Sequence, residues 1–187
     1  MLSIRPKWCE KIASGEKTIE VRKPKPKLET PFKCYIYCTR DKHLAFMQNQ
    51  TGTNLIACMD VDAAIPVGGA IGNGKVIGEF TCERIVPITY DGGRLWCPTN
   101  AAFSPATCIS QAEIIAYIGD KGRCYGWHIS DLRIYDAPKE LSEFKTLCRV
   151  DADCCACPYY NYTKMDCDGR VIGRPPQNWC YVDDANA

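Results

Sequence analysis

The sequence predicts an α+β fold, a small mixed β-barrel with a few short helices packed at its ends. Three observations point to it. Apolar and polar residues alternate with period two at 17–22, 32–38, 76–88 and 125–135, as half-buried strands do. The two helical stretches, near residues 6–14 and 111–118, are short and bounded by capping signals. Strands and helices do not alternate as regular βαβ units, and Gly69 to Gly74 carries no phosphate-loop pattern, so a parallel nucleotide-binding sheet is not expected.

In order along the chain, Leu2-Ser3-Ile4-Arg5 reads as a short strand that feeds a helix opening at Pro6 or Lys7, where proline suits the first turn. Trp8 and Ile12 lie four apart on one face, and Gly15 supplies a left-handed cap. Lys17 to Arg22 follows as a half-polar strand, with Ile19 and Val21 on one side and Thr18, Glu20 and Arg22 on the other. In Phe32 to Cys38 the core face carries Phe32, Cys34, Ile36 and Cys38, with Lys33, Tyr35 and Tyr37 opposite. Residues 39–74 are irregular and rich in glycine, and Val76 to Ile88 resumes as a long strand bent at Gly78 or Pro87. Residues 95–107, with two prolines, read as an excursion without regular structure. Ser110-Gln111-Ala112-Glu113 is a capping box that opens a helix ending at Gly119, and Tyr125 to Tyr135 is again strand-like.

At 187 residues, 46% hydrophobic and 24% charged, the chain suits one globular domain with a real core, and wholesale disorder is excluded. No apolar run is long enough to span a bilayer, so no membrane partner is expected. Charge and proline come at once in Arg5-Pro6-Lys7, so no secretory leader is read there and a reducing, cytoplasmic location is expected. The formal net charge of +1 hides an asymmetry: residues 1–42 hold eleven Lys/Arg against five Asp/Glu, a net +6. That end points to an anionic partner, while the run Lys23-Pro24-Lys25-Pro26-Lys27 taken alone fits a solvated, extended loop equally well.

The densest chemistry is Gly15 to Arg22. Lys17, Thr18, Glu20 and Arg22 combine a point-charge lysine and a forked guanidinium, suited to phosphate, with a carboxylate that holds the arginine or accepts from a base amine. The same residues also fit an exposed strand face with a surface ion pair. Arg5 and Trp8 stand nearby; Trp8 fits the core or the stacking of an unpaired base, and Tyr35 and Tyr37 invite the same two readings. His43 and His128 are the only histidines, which excludes a histidine-rich catalytic or metal centre. His128 reads as a structural or cleft residue rather than a general base.

The opening "LSIRPKW", the block "GEKTIEVR", the strand "GKVIGEF" and the stretch "YGWHISDLRIYDAPKELSEF" together resemble the ASCH (activating-signal-cointegrator homology) family, whose members have a PUA-like β-barrel. The resemblance covers residues 1–145 and the late "RPPQNWCYV", and its most specific part is a GxKxxExR pattern at Gly15, Lys17, Glu20 and Arg22. It implies an RNA- or nucleotide-binding protein that uses a basic cleft containing Lys17, Thr18, Glu20, Arg22, Arg5 and Trp8. The family also contains enzymes that hydrolyse the acetyl amide of N4-acetylcytidine with a lysine, a threonine and a glutamate. Lys17 matches their lysine, but the threonine position falls on Glu20 and the glutamate position near Thr107 or Cys108. An amidohydrolase acting on such a modified nucleoside, with Lys17 and Glu20 catalytic, is therefore the alternative, and a ribonuclease a lesser one.

The 14 cysteines divide into eight within residues 1–147 and six beyond. In a reducing compartment Cys34, Cys38, Cys58 and Cys82 read as small buried hydrophobes. The domain map is then a barrel over 1–146, a Cys-rich excursion over 147–180 and a tail over 181–187. Cys154 and Cys157 have the spacing of a metal knuckle, and Cys148 with Cys167 completes a four-thiolate structural zinc site. Free buried thiols or redox disulfides remain alternatives there. "RPPQNWCYV" is expected to return to the barrel, anchored by Trp179 and Tyr181.

Overall fold

Pro6 has no amide hydrogen to lose at the first turn of a helix, and α1 (Pro6–Ala13) begins there, after the three-residue strand β1 (Leu2–Ile4). It buries Pro6, Cys9 and Ile12 and ends where Gly15 turns left-handed at φ 79°, its amide donating to Ile12 O. A computed structural model describes residues 1–48, the backbone of 54–58, 69–97, 103–146, parts of 160–167, and 169–183. In order come β2 (Ile19–Arg22), β3 (Phe32–Cys38), β4 (Leu44–Gln48), β5 (Asn54–Cys58), β6 (Ala70–Ile71), β7 (Val76–Tyr90), β8 (Leu95–Trp96), α2 (Phe103–Thr107), α3 (Gln111–Ile118) and β9 (Arg123–Lys139). Four two-residue strands close the series: β10 (Lys145–Thr146), β11 (Tyr160–Asn161), β12 (Asp166–Cys167) and β13 (Arg170–Val171).

The main sheet runs β1-β3-β7-β9-β2, with β8 added to β7. Only β1 and β3 are parallel within it; the other pairs are antiparallel. A smaller sheet, β5-β4-β6, lies against α1. The α+β class stands, but the main sheet does not close into the expected barrel, and its two edges are β1 and β2. Each edge strand has another neighbour: Ser3 N donates to Asn178 O on one, while on the other Thr18 N, just before β2, donates to Ala106 O. The return of the "RPPQNWCYV" segment is thus confirmed, with Leu2 bridged to Trp179.

The helices pack as satellites of the sheet. α3 carries the capping box read from the sequence, Ser110 with Glu113, and buries Ile114 and Ile118 against Val86, Ile88 and Cys124. α2 was not foreseen; Pro105 reads as a breaker, yet in the first turn of a five-residue helix its missing amide costs nothing. The β7–β9 register shifts at three places, between Val76 and Gly78, between Glu79 and Thr81 and between Cys82 and Ile85, while Pro87 pairs with Tyr125 inside a regular run.

Two sequence expectations about faces fail. β2 is buried along its whole length, and β3 buries Tyr35 and Tyr37 as well as its expected core face. The segment around Phe144 and Ile172 covers the second face of β3, with the Tyr35 and Phe144 rings 5.0 Å apart. The first face packs Leu2, Ile4, Cys34, Ile36, Phe80 and Trp127 into the largest core cluster. Cys34, Cys38 and Cys82 are buried as expected, Cys58 is placed only by its backbone, and the proposed zinc ligands Cys148, Cys154 and Cys157 lie outside the described residues. Cys167 is described by its backbone in β12.

Candidate functional site

Where β1 and β2 fail to pair, a cleft of about 1300 Å³ opens, lined by Ser3, Ile4 and Arg5 on one side and Glu20, Val21 and Arg22 on the other. Arg22 spans the gap. Its Nη2 donates to Ser3 O at 2.6 Å, and its Nη1 donates to Asn178 Oδ1 at 2.9 Å. A side chain thereby joins two strand edges that share no ladder, and the C-terminal segment holds the join.

Beneath this seam lies a chain of three charges. Lys17 Nζ is 3.3 Å from Glu20 Oε2, and Arg22 Nε is 3.0 Å from Glu20 Oε1. The second contact is an ion pair whose orientation leaves the Nε–H without a hydrogen-bond acceptor among the described residues. The Lys17 side chain is 0% exposed and that of Glu20 is 7% exposed, so water screens this chain weakly. Lys17 Nζ also donates to Thr107 O at 2.6 Å, which ties the end of α2 to the site. The sum is one surplus positive charge under the floor of the cleft. Buried charges are costly unless paired and hydrogen-bonded, and each of these is paired.

Of the residues singled out from the sequence, Arg5, Trp8, Glu20 and Arg22 line the cleft. Lys17 does not line it and stands behind Glu20 and the Trp8 ring, which do. Thr18 is exposed, and its backbone serves structure, N–H to Ala106 O and carbonyl from Ile129 N–H. Trp8 meets its core reading in part and also lines the cleft. Its ring packs partly on the core and carries Lys7 Nζ at 4.6 Å and Lys17 Nζ at 5.1 Å from its centroid.

The cleft also gathers residues that sequence reasoning missed: Arg40, Glu113, Tyr117, Glu140 and Asn178. Parallel pairing of Ile4 with Cys38 brings the C-terminal ends of β1 and β3 together, so Arg5 and Arg40 emerge at the same end of the sheet. Both are exposed, and neither has an ion-pair partner among the described residues. The three carboxylates of the cleft are all engaged: Glu20 between its two cations, Glu140 with Lys75 at 2.9 Å, and Glu113 in the capping box. Hydrogen bonds from Ser110 hold the Glu113 carboxyl below its ordinary range. Asn178 was the one signal within reach, since it sits in the matched C-terminal motif.

His128 lies outside this lining. Its Nε2 is buried with no hydrogen-bond partner among the described residues, and burial, then the nearby Arg84, holds its pKa below the ordinary histidine value. The basic run is not a free loop either. Lys23 Nζ sits 5.1 Å from the Tyr117 ring centroid, and Lys27 N donates to Tyr181 Oη at 2.9 Å. No group of three or more metal-ligating side chains occurs among the described residues, and no described helix is long and apolar enough to cross a membrane.

No protein-family model and no curated protein matches the chain. Its structure is similar to the crystal structure of ASCH from Zymomonas mobilis, with a TM-score of 0.48 and 19% identity over 75% of this chain and 71% of that one. It is similar also to a Tyr-to-Phe and a Ser-to-Ala variant of the same protein, each with a TM-score of 0.46 and 20% identity, covering 75% of this chain and 73% and 72% of theirs.

Proposed function

We propose that the protein binds single-stranded RNA, or a nucleotide, in the cleft between β1 and β2. One observation carries this reading: Glu20, clamped between two buried cations, faces a cleft whose rim holds two arginines with no ion-pair partner among the described residues and two aromatic rings. Arg5 and Arg40 suit phosphates, because a guanidinium presents a planar fork of donors. Trp8 and Tyr117 suit unstacked bases, which lie on aromatic faces whatever their sequence. Glu20, fixed by its neighbours, suits the exocyclic amine of a base, an acceptor-to-donor match. Lys17 serves in this reading by holding Glu20 and not by touching the ligand.

The decisive experiment is anisotropy titration of a short single-stranded RNA over a salt series, with Arg5→Ala/Arg40→Ala beside the unaltered protein. Each lost phosphate contact should lower the slope of log K against log salt by about 0.7, so the pair should lower it by about 1.4. Equal affinity and equal slope in both proteins would overturn the reading. Release of acetate from N4-acetylcytidine, lost in Glu20→Gln, would replace it with the amidohydrolase.

A further inference from the structure

The two edges of the cleft run in opposite directions. β1 is parallel to β3, while β3, β7, β9 and β2 follow one another antiparallel, so β2 descends beside an ascending β1. Arg5, just past β1, therefore stands at one end of the cleft with Arg40, two residues past β3. Lys23, just past β2, stands at the other. Arg22 reaches Ser3 O at that end, and a strand rises about 3.3 Å per residue, so the levels of Lys23 and Arg5 lie about 10 Å apart. The cleft between them, about 1300 Å³, exceeds the roughly 300–1,000 Å³ of ordinary small-molecule sites.

The Lys23 end repeats the chemistry of the other. Its ring is Tyr117 of α3, which lines the cleft and is 39% exposed. Lys23 Nζ stands 5.1 Å from the centroid of that ring, and Lys23 has no ion-pair partner among the described residues. At the first end the ring is Trp8, on the turn that follows Arg5, with Lys7 Nζ 4.6 Å from its centroid. Each end thus joins a ring to cations without ion-pair partners, and the three carboxylates of the cleft have partners of their own. A free nucleotide has one base and one phosphate group, so it fills one such station and leaves the other empty. A strand presents successive bases and phosphates, which single-strand grooves match with a basic track and stacking rings.

We propose that Lys23 and Tyr117 form a second nucleotide station of the cleft, so that its ligand is a strand of two or more linked nucleotides and not a free nucleotide. Tyr117 takes the face of a base, and Lys23, held over the same ring, meets the phosphate of that nucleotide. Arg5 and Arg40 hold a phosphate at the far end. The proposal rests on the RNA reading of the cleft and sharpens it, since one phosphate station serves a nucleotide and two serve a strand.

Calorimetric titration of cytidine 5′-monophosphate and of its linked dimer and trimer, over a salt series, separates strand from nucleotide. The trimer should bind about tenfold more tightly than the monomer, the gain from a further stacked base and a further phosphate contact. Lys23→Gln should lower the trimer's slope of log K against log salt by about 0.7 and leave the monomer's slope unchanged. Tyr117→Leu, which keeps an apolar side chain on α3, should weaken the trimer about tenfold and leave the monomer unchanged. Lys25→Gln is the control, because Lys25 lies outside the cleft lining, its Nζ 5.9 Å from the Tyr125 ring centroid, and it should change neither ligand. Equal affinity for monomer and trimer, a trimer slope untouched by Lys23→Gln, or equal losses in Lys23→Gln and Lys25→Gln would each sink the proposal and leave the nucleotide reading standing. Failure of all three ligands to bind would instead remove the RNA reading itself, and the second station with it.

Discussion

Glu20 is the residue on which the seam depends, because two cations share it. Removing its charge by Glu20→Gln leaves Lys17 and Arg22 buried without a carboxylate, a change expected to cost about 3–5 kcal/mol. Lys17→Met should cost less, about 1–3 kcal/mol, since Glu20 keeps Arg22 and the Thr107 carbonyl loses its donor. Urea unfolding of the two variants tests the order, and a larger loss in Lys17→Met would contradict it. His128 gives a pH test. Its folded pKa lies below its ordinary value of 6.5, so the unfolded chain takes up the proton first as pH falls. The stability His128 contributes is therefore present above about pH 6.5 and is lost as pH falls through the folded value. The unaltered protein should lose more thermal stability between about pH 7 and pH 5 than His128→Gln does; equal losses would show that the exposed carboxylates held low, such as Asp41 and Asp91, carry the whole acid limb.

Among the elements, the long hairpin-like pair β7–β9 is the spine, and one of its three register shifts adjoins Gly78. A methyl group on Gly78 would collide with the carbonyl oxygen of Arg133 on β9, a backbone atom that cannot swing away. Gly78→Ala should cost about 1–3 kcal/mol by forcing the strands apart where the register already shifts. A midpoint in urea within error of the unaltered protein would show that the ladder absorbs the methyl there. The capping box of α3 was fully legible in Ser110 and Glu113, because its partners lie three residues apart. The faces of β2 and β3 were not. Alternation predicts one polar side, but Tyr35 and Tyr37 are covered by residues more than 100 positions away.

At the level of the whole molecule, the C-terminal segment completes what the sheet leaves open. Asn178 caps Arg22, Ser3 N–H bonds Asn178 O, and Trp179 extends the aromatic core, so residues 174–183 serve both the cleft and the core. Burial also decides the chemistry of the cysteines. Desolvation pushes the Cys34, Cys82 and Cys124 thiols up to about 12, which leaves almost no thiolate at neutral pH. Among the eight described free cysteines only Cys108 and Cys180 are partly exposed. Brief alkylation of the native protein at about pH 8, read by peptide mass spectrometry, should therefore modify Cys108 far ahead of Cys34, Cys82 and Cys124, with the difference abolished in urea. Comparable labelling of all four without denaturant would show that the core opens readily.

What the sequence determined by itself is local: the α+β class, the start of α1 at Pro6, the caps at Gly15 and Ser110, and the cluster from Lys17 to Arg22. Each rests on neighbours within a few residues, where backbone geometry and spacing act directly. Only the tertiary structure decided that the sheet stays open, that Lys17 lies buried behind Glu20, and that Arg40, Tyr117 and Asn178 reach the same cleft. Those facts depend on which strand edges meet and what covers them. Such choices are made by burial across the whole chain, which local spacing does not encode.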